Sequence, residues 1–329
     1  MPSLDAQIET FPLTRHFTIS RGTKTNTVVV VATVHEGDVV GRGECGPNAR
    51  YGETPETVAA DICAMAPAVN DGISRDDLQA AMPPGAARNA LDCALWDFEA
   101  RMAGMPAWRC AGIAAPQPVV TAFTLSADGP EQMAREAAAN AERPLLKLKL
   151  TADDDLMRVR AVRAVAPDAC LIVDANEAWD VASYMAAVPE LQSLGVVLIE
   201  QPLPADDDAA LARLSRPIPV CADEAFRDLS SLPALVGKYD LVNIKLDKTG
   251  GLTAARAAVT GARAAGFGIM VGCMVGTSLA MAPAMLIAQE AAFVDLDGPM
   301  LLARDRVPGL LVDGSVLRLP ASGLWGEGF

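Results

Sequence analysis

The stretch Leu145–Leu150 (LLKLKL) is the first of five short apolar runs, between residues 145 and 251, that each end in a charged side chain. Leu171–Asp174 (LIVD), Val196–Glu200 (VVLIE), Val220–Asp223 (VCAD) and Leu241–Lys245 (LVNIK) are the other four. Counted from Lys149 through Asp174, Glu200 and Asp223 to Lys245, the steps are 25, 26, 23 and 22 residues. A strand, its turn, a crossover helix and a return loop need about that many residues, so the spacing predicts a parallel sheet with all five charged ends on one edge. Around that edge the order is lysine, acid, acid, acid, lysine. Such an order reads as a metal site flanked by two bases.

The same alternation extends on both sides. Val119–Thr124 and a helix over Gly129–Ala141 come before it, and strands at Gly268–Val271 and Ala292–Leu296 come after. Eight strands in seven or eight β/α units are the count of a closed parallel barrel, where chemistry sits at the C-terminal strand ends. Upstream the texture differs. Gln7–Ser20, Thr27–His35 and Val39–Glu44 read as a three-strand meander, and the polar loop Arg21–Asn26 between the first two could reach over a neighbouring site. Helices follow from Thr54 and from about Gly85 to Met102, the second closed by Gly104 and Pro106. The expected division is an α+β unit over residues 1–115, a barrel over 116–310, and a tail over 311–329 that returns to the first unit.

The chain has 329 residues, 51% of them hydrophobic and 21% charged, which suits one large and one smaller packed domain. Its net charge of -14 argues against a nucleic-acid backbone or an anionic membrane as partner. Seven cysteines without a CxxC pair read as buried free thiols in a reducing compartment, and no export signal is visible, so a cytoplasmic location is expected. The uncharged run Gly266–Gln289 is long enough to span a bilayer but is cut by glycines and by Pro283.

Period-two geometry puts Lys147 and Lys149 on one face of their strand and the leucines on the other. Asp174, Glu200 and Asp223 would converge from adjacent strands. Like charges so close repel unless a cation neutralises them, and an all-oxygen set suits magnesium or manganese better than zinc. Any one of these acids alone would read as a helix cap or an ion-pair partner. Alternation also turns Asn243, Lys245 and Asp247 inward, and closure of the barrel carries Lys245 opposite Lys149. A substrate carboxylate on the metal would hold its α-carbon between two amines. One amine could remove the α-proton and the other return a proton to the opposite face, through a metal-stabilised enediolate. His16 and His35, the only histidines, fall in the N-terminal strands and leave none for the barrel.

The set Lys147-Leu-Lys149, Asp174-Ala-Asn176, Glu200-Gln-Pro202, Asp223-Glu224 and Asn243-Ile-Lys245 resembles the enolase superfamily, muconate-lactonising subgroup. The resemblance covers nearly the whole chain and implies a modified (β/α)7β TIM-type barrel with an α+β capping domain formed by the N-terminal segment and the C-terminal tail. Within the subgroup, Asn243–Leu252 (NIKLDKTGGL) and Asp295-Leu296-Asp297 are similar to those of dipeptide epimerases. The likeness implies an isomerase of cell wall peptide metabolism that epimerises the C-terminal residue of a dipeptide such as L-Ala-L-Glu.

It further implies Lys149 and Lys245 as acid/base pair. One Mg2+ per subunit, with Mn2+ as a substitute, would sit on Asp174, Glu200 and Asp223. Arg21, for which Lys24 could substitute, would lie on the substrate's side-chain carboxylate, and Asp295 and Asp297 on its ammonium. Lys147 would touch the bound carboxylate and depress its neighbour's pKa, Asn176 would support the ligands, and Met274 and Thr277 would line the substrate site. Muconate cycloisomerisation and o-succinylbenzoate synthesis use the same scaffold without an ammonium site. A catalytically silent metal-binding barrel is a further alternative, and assembly into a homo-oligomer is left open.

Overall fold

The structure, a computed structural model, describes residues 1–327. Strands β1 (Ser3–Ile19), β2 (Gly22–Glu36) and β3 (Val39–Cys45) form an antiparallel meander. Helices α1 (Pro55–Ala64), α2 (Ala66–Asn70), α3 (Arg75–Ala81), α4 (Ala86–Ala103) and α5 (Ala107–Cys110) follow. Thr54 caps α1 with its side chain on the Thr57 amide, and Gly104 ends α4 in the left-handed conformation that glycine adopts without strain. The meander and these helices share a core of their own, built from Val30, Ala32, Val34, Ile62, Leu78, Leu91 and neighbours.

Short β4 (Val119–Val120) leads to the eight parallel strands β5 (Phe123–Leu125), β6 (Leu145–Lys149), β7 (Cys170–Asp174), β8 (Val196–Glu200), β9 (Val220–Ala222), β10 (Leu241–Ile244), β11 (Gly268–Gly272) and β12 (Phe293–Asp295). Between them run α6 (Pro130–Ala139), α7 (Asp155–Val165), α8 (Val181–Ser193), α9 (Leu232–Leu235), α10 (Leu246–Thr249), α11 (Leu252–Ala264) and α12 (Ser278–Ala288). Each strand pairs with the next in sequence, and the two edges meet where Ala122 N donates to Val294 O at 2.8 Å. Alternation sorts the side chains. Leu146, Leu148, Leu171 and Val173 pack against the helices, while Leu145, Ile172, Leu198, Cys221, Leu241 and Met270 fill the barrel floor. The next inward positions are charged on β6 to β9 (Lys147, Asp174, Glu200 and Asp223) and are Asn243 and Gly272 on β10 and β11.

Four local expectations are corrected. The segment 21–26 is not a loop: Thr23, Thr25 and Thr27 extend β2, and Phe17, Thr18 and Ile19 pair with Lys24, Thr23 and Gly22 after a register irregularity between Pro12 and Phe17. Arg21 therefore sits at a tight hairpin tip. The predicted strand 119–124 is two strands, because the Thr121 amide bonds Ser315 O while the Thr121 hydroxyl turns to the amide of Leu296. In the tail, β13 (Leu311–Asp313) pairs with β14 (Val316–Arg318) and β14 pairs with β4, and the return to the first unit is made later, where Arg42 donates to Leu324 O and Trp325 Nε1 to Cys93 O. Finally, three cysteines are buried (Cys45, Cys93 and Cys221), two are half-buried and two are exposed, all as free thiols. No helix among the described residues is long and apolar enough to cross a membrane.

The meander lies directly on α4. A Cβ at Gly43 would stand 2.1 Å from Ala90 O and 2.6 Å from Ala94 N, so only glycine lets β3 and the helix backbone touch. Gly43→Ala is expected to destabilise the protein by about 1–3 kcal/mol through overpacking, lowering the melting temperature. An unchanged melting temperature would contradict this contact.

Candidate active site

A cavity of about 360 Å³ opens at the C-terminal ends of the barrel strands, beneath the β1–β2 hairpin. Its wall brings together Arg21, Lys147, Lys149, Asn176, Asp223, Lys245, Met274, Asp295 and Asp297 from the residues singled out in the sequence. Asp174 and Glu200 lie just below it, fully buried. One carboxylate oxygen each from Asp174, Glu200 and Asp223 falls within 4.8 Å of the others. The register explains the convergence: Lys149 pairs with Asp174 and Asp174 with Glu200 across β6, β7 and β8. Hydrogen bonds fix the acids from behind. Asn243 Nδ2 donates to Glu200 Oε1 (2.8 Å), the Asn176 amide donates to Asp174 Oδ1 (3.0 Å), and Gln201 Oε1 accepts from the Asp223 amide (2.9 Å). Gly272 makes room for this, since a Cβ there would stand 2.7 Å from Asn243 Oδ1.

The buried charges balance in pairs. Lys149 Nζ lies 2.6 Å from Asp174 Oδ2, and Lys245 Nζ lies 2.7 Å from Asp223 Oδ2. Lys147 Nζ reaches Glu200 (2.6 Å), Asp295 (2.7 Å) and Asp174 (3.1 Å), so it is not a free positive charge beside Lys149: three carboxylates compensate it. Burial pushes Asp174 up, but the ammonium groups of Lys149 and Lys147 outweigh it and hold the carboxyl at about 2. Asp223 is likewise held well below the carboxylate range against burial, by Lys245 and Lys248. Glu200 goes the other way, to about 7, because burial and the charge of Asp174 exceed the pull of Lys147. Burial draws Lys245 down, yet the charges of Asp223 and Glu200 prevail and keep its ammonium above the ordinary range.

The donor set fits a hard divalent cation. All three groups are carboxylates, and Glu200 Oε2 is buried with no hydrogen-bond donor, close to Lys147 but outside hydrogen-bond geometry. Such an oxygen set at one point is what magnesium takes.

Thr277 does not line the cavity. It is fully buried, caps α12, and with Arg306 holds the carboxylate of Glu44 from β3, its amide 2.7 Å from Glu44 Oε1. Asp297 lies beyond the end of β12, and its Oδ2 accepts from the amide of Thr124 at 2.6 Å, so it faces the cavity from a turn and not by strand alternation. Asp247 faces away from the barrel interior, because the chain turns into α10 at Leu246. Its Oδ1 accepts from the Gly46 amide (2.8 Å) and from Asn89 Nδ2 (3.0 Å) of α4.

That same helical turn carries the residue sequence reasoning missed, Lys248. It is fully buried and donates to Asp223 Oδ1 (2.7 Å), Asp223 O (2.5 Å) and Asn243 O (2.9 Å). The signal was the pair Gly250-Gly251, which marks a helix end and puts Lys248 one turn after Lys245.

Asp247 carries a pH dependence. Burial pushes its carboxyl up to about 7 against the pull of its two donors. The folded chain then binds more protons than the unfolded one between about pH 4 and about pH 7, so stability from this group falls as pH rises through that window. Asp247→Asn keeps an acceptor for both donors. Its urea-unfolding free energy relative to the parent should rise from pH 4 to 7, by at most about 4 kcal/mol, and level off above. Parallel profiles would refute the shift.

Residues 6–112 match the model of the mandelate racemase/muconate lactonizing enzyme N-terminal domain, and residues 132–321 match the enolase C-terminal domain-like model. An L-Ala-D/L-Glu epimerase from Escherichia coli (strain K12) is 47% identical over 92% of this chain and 95% of its own length. An N-acetyl-D-glutamate racemase from a Pseudoalteromonas species is 43% identical over 91% of this chain and 95% of its own. A solved enolase family member from Agrobacterium tumefaciens with homology to dipeptide epimerases, bound to sodium and L-Ala-L-Glu, superposes with a TM-score of 0.97 at 52% identity over 99% of this chain and 100% of that one. The dipeptide epimerase from Enterococcus faecalis V583, in complex with Mg and L-Leu-L-Tyr, gives a TM-score of 0.89 at 28% identity over 99% and 98% of the two chains. Two successive domain matches, relatives similar over nearly their whole length and a barrel with three acids between two lysines lead to one conclusion: the chain belongs to the enolase superfamily, in its mandelate racemase/muconate lactonizing group.

Proposed function

We propose that the protein is a magnesium-dependent isomerase that epimerises the α-carbon of the C-terminal residue of a dipeptide, converting L-Ala-L-Glu to L-Ala-D-Glu. The observation that carries this reading is the placement of Lys149 and Lys245 on β6 and just after β10, four strands apart in a ring of eight, with Asp174, Glu200 and Asp223 between them. Magnesium on those acids supplies stabilisation of the negative charge that builds on the substrate carboxylate as its α-proton leaves. The rest is the work of side chains. One lysine amine takes the proton from one face of the α-carbon, and the other ammonium returns a proton to the opposite face. Lys147 points its ammonium at the same carboxylates and meets part of the substrate's charge. Asp295 and Asp297 receive the substrate ammonium at one end of the cavity. At the other end the hairpin tip with Arg21 and Lys24 offers positive charge to the glutamate side chain, Met274 lines the wall between them, and Asn176 steadies Asp174.

The division of labour proposed for the chain is a cap over residues 1–115, joined by 311–329, on a catalytic barrel over 116–310. Free thiols throughout fit a cytoplasmic site of action in cell wall peptide metabolism. Racemisation of an N-acylated glutamate is a second reading. It is favoured by the contact between Lys147 and Asp295, which already compensates one of the two acids meant for an ammonium.

Incubation with L-Ala-L-Glu, a wider dipeptide panel and N-acetyl-L-glutamate in deuterium oxide, followed by mass spectrometry, tests both readings. Uptake of one α-deuterium by dipeptides is the expected result. No exchange with any dipeptide would refute the first reading. Lys149→Ala and Lys245→Ala should each abolish epimerisation, a fall of at least about 100-fold for loss of a general acid or base, while each keeps exchange with only one stereoisomer. Equal exchange of both stereoisomers by either variant would rule out the two-lysine scheme. Removal of the metal by EDTA should abolish exchange, and added Mg2+ should restore it.

A further inference from the structure

Each of the three acids has one oxygen held from behind, and the holders differ in charge. On Asp174 the holder is the backbone amide of Asn176 (3.0 Å) and on Glu200 the side-chain amide of Asn243 (2.8 Å), both neutral. On Asp223 it is the ammonium of Lys248, 2.7 Å from Oδ1. The other oxygen of each acid meets a lysine that lines the cavity: Lys149 on Asp174, Lys147 on Glu200 and Lys245 on Asp223. Lys248 does not line the cavity. It is fully buried, with its Nζ 5.6 Å from the centre of the buried Phe226 ring.

The place of Lys248 follows from the strands. β9 and β10 pair at Cys221 with Leu241 and at Ala222 with Val242. At the next position on each, Asp223 and Asn243, the ladder has ended, and Lys248 Nζ donates to both main-chain oxygens, at 2.5 and 2.9 Å. An ammonium has three N–H groups, and with Asp223 Oδ1 as the third acceptor all of them are used in this clamp. Asn243 is the residue whose side chain holds Glu200, so one lysine fixes Asp223 directly and Glu200 at one remove. The turn that carries Lys248 is in turn anchored by the cap, where Arg88 of α4 donates to Thr249 O (2.7 Å) and Gly250 O (3.2 Å). A group with no free donor and no opening to the cavity neither binds substrate nor exchanges a proton with it. What it does is fix its neighbours.

We propose that Lys248 is a positioning residue of the magnesium site, clamping the open ends of β9 and β10 so that Asp223 and Glu200 stand at the spacing the cation needs. The assignment rests on the magnesium reading above and not on the identity of the dipeptide. Two effects of this ammonium on a bound divalent cation oppose each other. Its charge repels the cation, whereas its hold keeps the carboxylates converged within 4.8 Å. The charge is already matched by Asp223 Oδ1, and two of the three bonds go to uncharged carbonyls, so the hold prevails.

Calorimetric titration of the folded protein with Mg2+, in the absence of substrate, reads this directly. Lys248→Met should weaken Mg2+ binding about 10- to 100-fold, the usual worth of a group that supports metal ligands, and should shrink the rise in melting temperature that Mg2+ gives the wild type. Lys248→Gln, which loses the charge and keeps two N–H donors, should be weakened less, and it carries the comparison where Lys248→Met does not fold. Added Mg2+ should still raise α-deuterium exchange by the variants at concentrations where the wild type is saturated. Mg2+ binding by the variants as tight as that of the wild type, or tighter, would overturn the assignment. So would failure of both variants to fold, which would make Lys248 a residue of the fold alone. In either case the magnesium reading would stand, whereas absence of Mg2+ binding by the wild type would bring down both.

Discussion

Three carboxylates buried at one end of a barrel cannot all stay ionised unless as many positive charges stand within reach, and the rest of this structure follows from that requirement. Without compensation each buried charge costs several kcal/mol, roughly what a whole domain has to spare. Here Lys147, Lys149, Lys245 and Lys248 provide the compensation at 2.6–3.1 Å. Two of them, Lys149 and Lys245, are the acid/base groups proposed for the reaction. Lys149 and Lys245 thus lie on carboxylate groups of the three acids that would hold a magnesium ion.

The fold meets this requirement through periodicity. A parallel strand shows alternate residues to the barrel interior, so each inward row needs one apolar residue for the floor and one charged residue above it. Leu145 and Lys147, Ile172 and Asp174, Leu198 and Glu200, and Cys221 and Asp223 are such pairs. Closure then decides which charges face each other, and neither step depends on detail at the surface.

For that reason the barrel, the three acids and the two opposed lysines were legible in the sequence: they rest on strand spacing and alternation alone. The residues misread are those whose surroundings come from elsewhere in the chain. Thr277 looks like a loop residue at a strand end, but Glu44 and Arg306 claim it across more than two hundred and about thirty residues respectively. Asp247 looks inward-facing by alternation until the strand gives way to a helical turn and Asn89 of the cap takes it. The hairpin carrying Arg21 reads as a loop because glycine, lysine and asparagine outweigh its threonines. Its partner strand, and not its own composition, makes it β. Local patterns placed what the barrel alone determines, and they failed at the seam between cap and barrel.

Asp297 joins the site to the architecture in a further way. Its Oδ2 takes the amide of Thr124 on the first barrel strand, next to the main-chain bond between Ala122 and Val294, so part of the closing seam is made by a side chain that also lines the cavity. Asp295 has no such duty, for its partners are the side chains of Lys147 and Thr124. Replacing Asp297 therefore costs the barrel seam a hydrogen bond, whereas replacing Asp295 disturbs only side-chain contacts with Lys147 and Thr124.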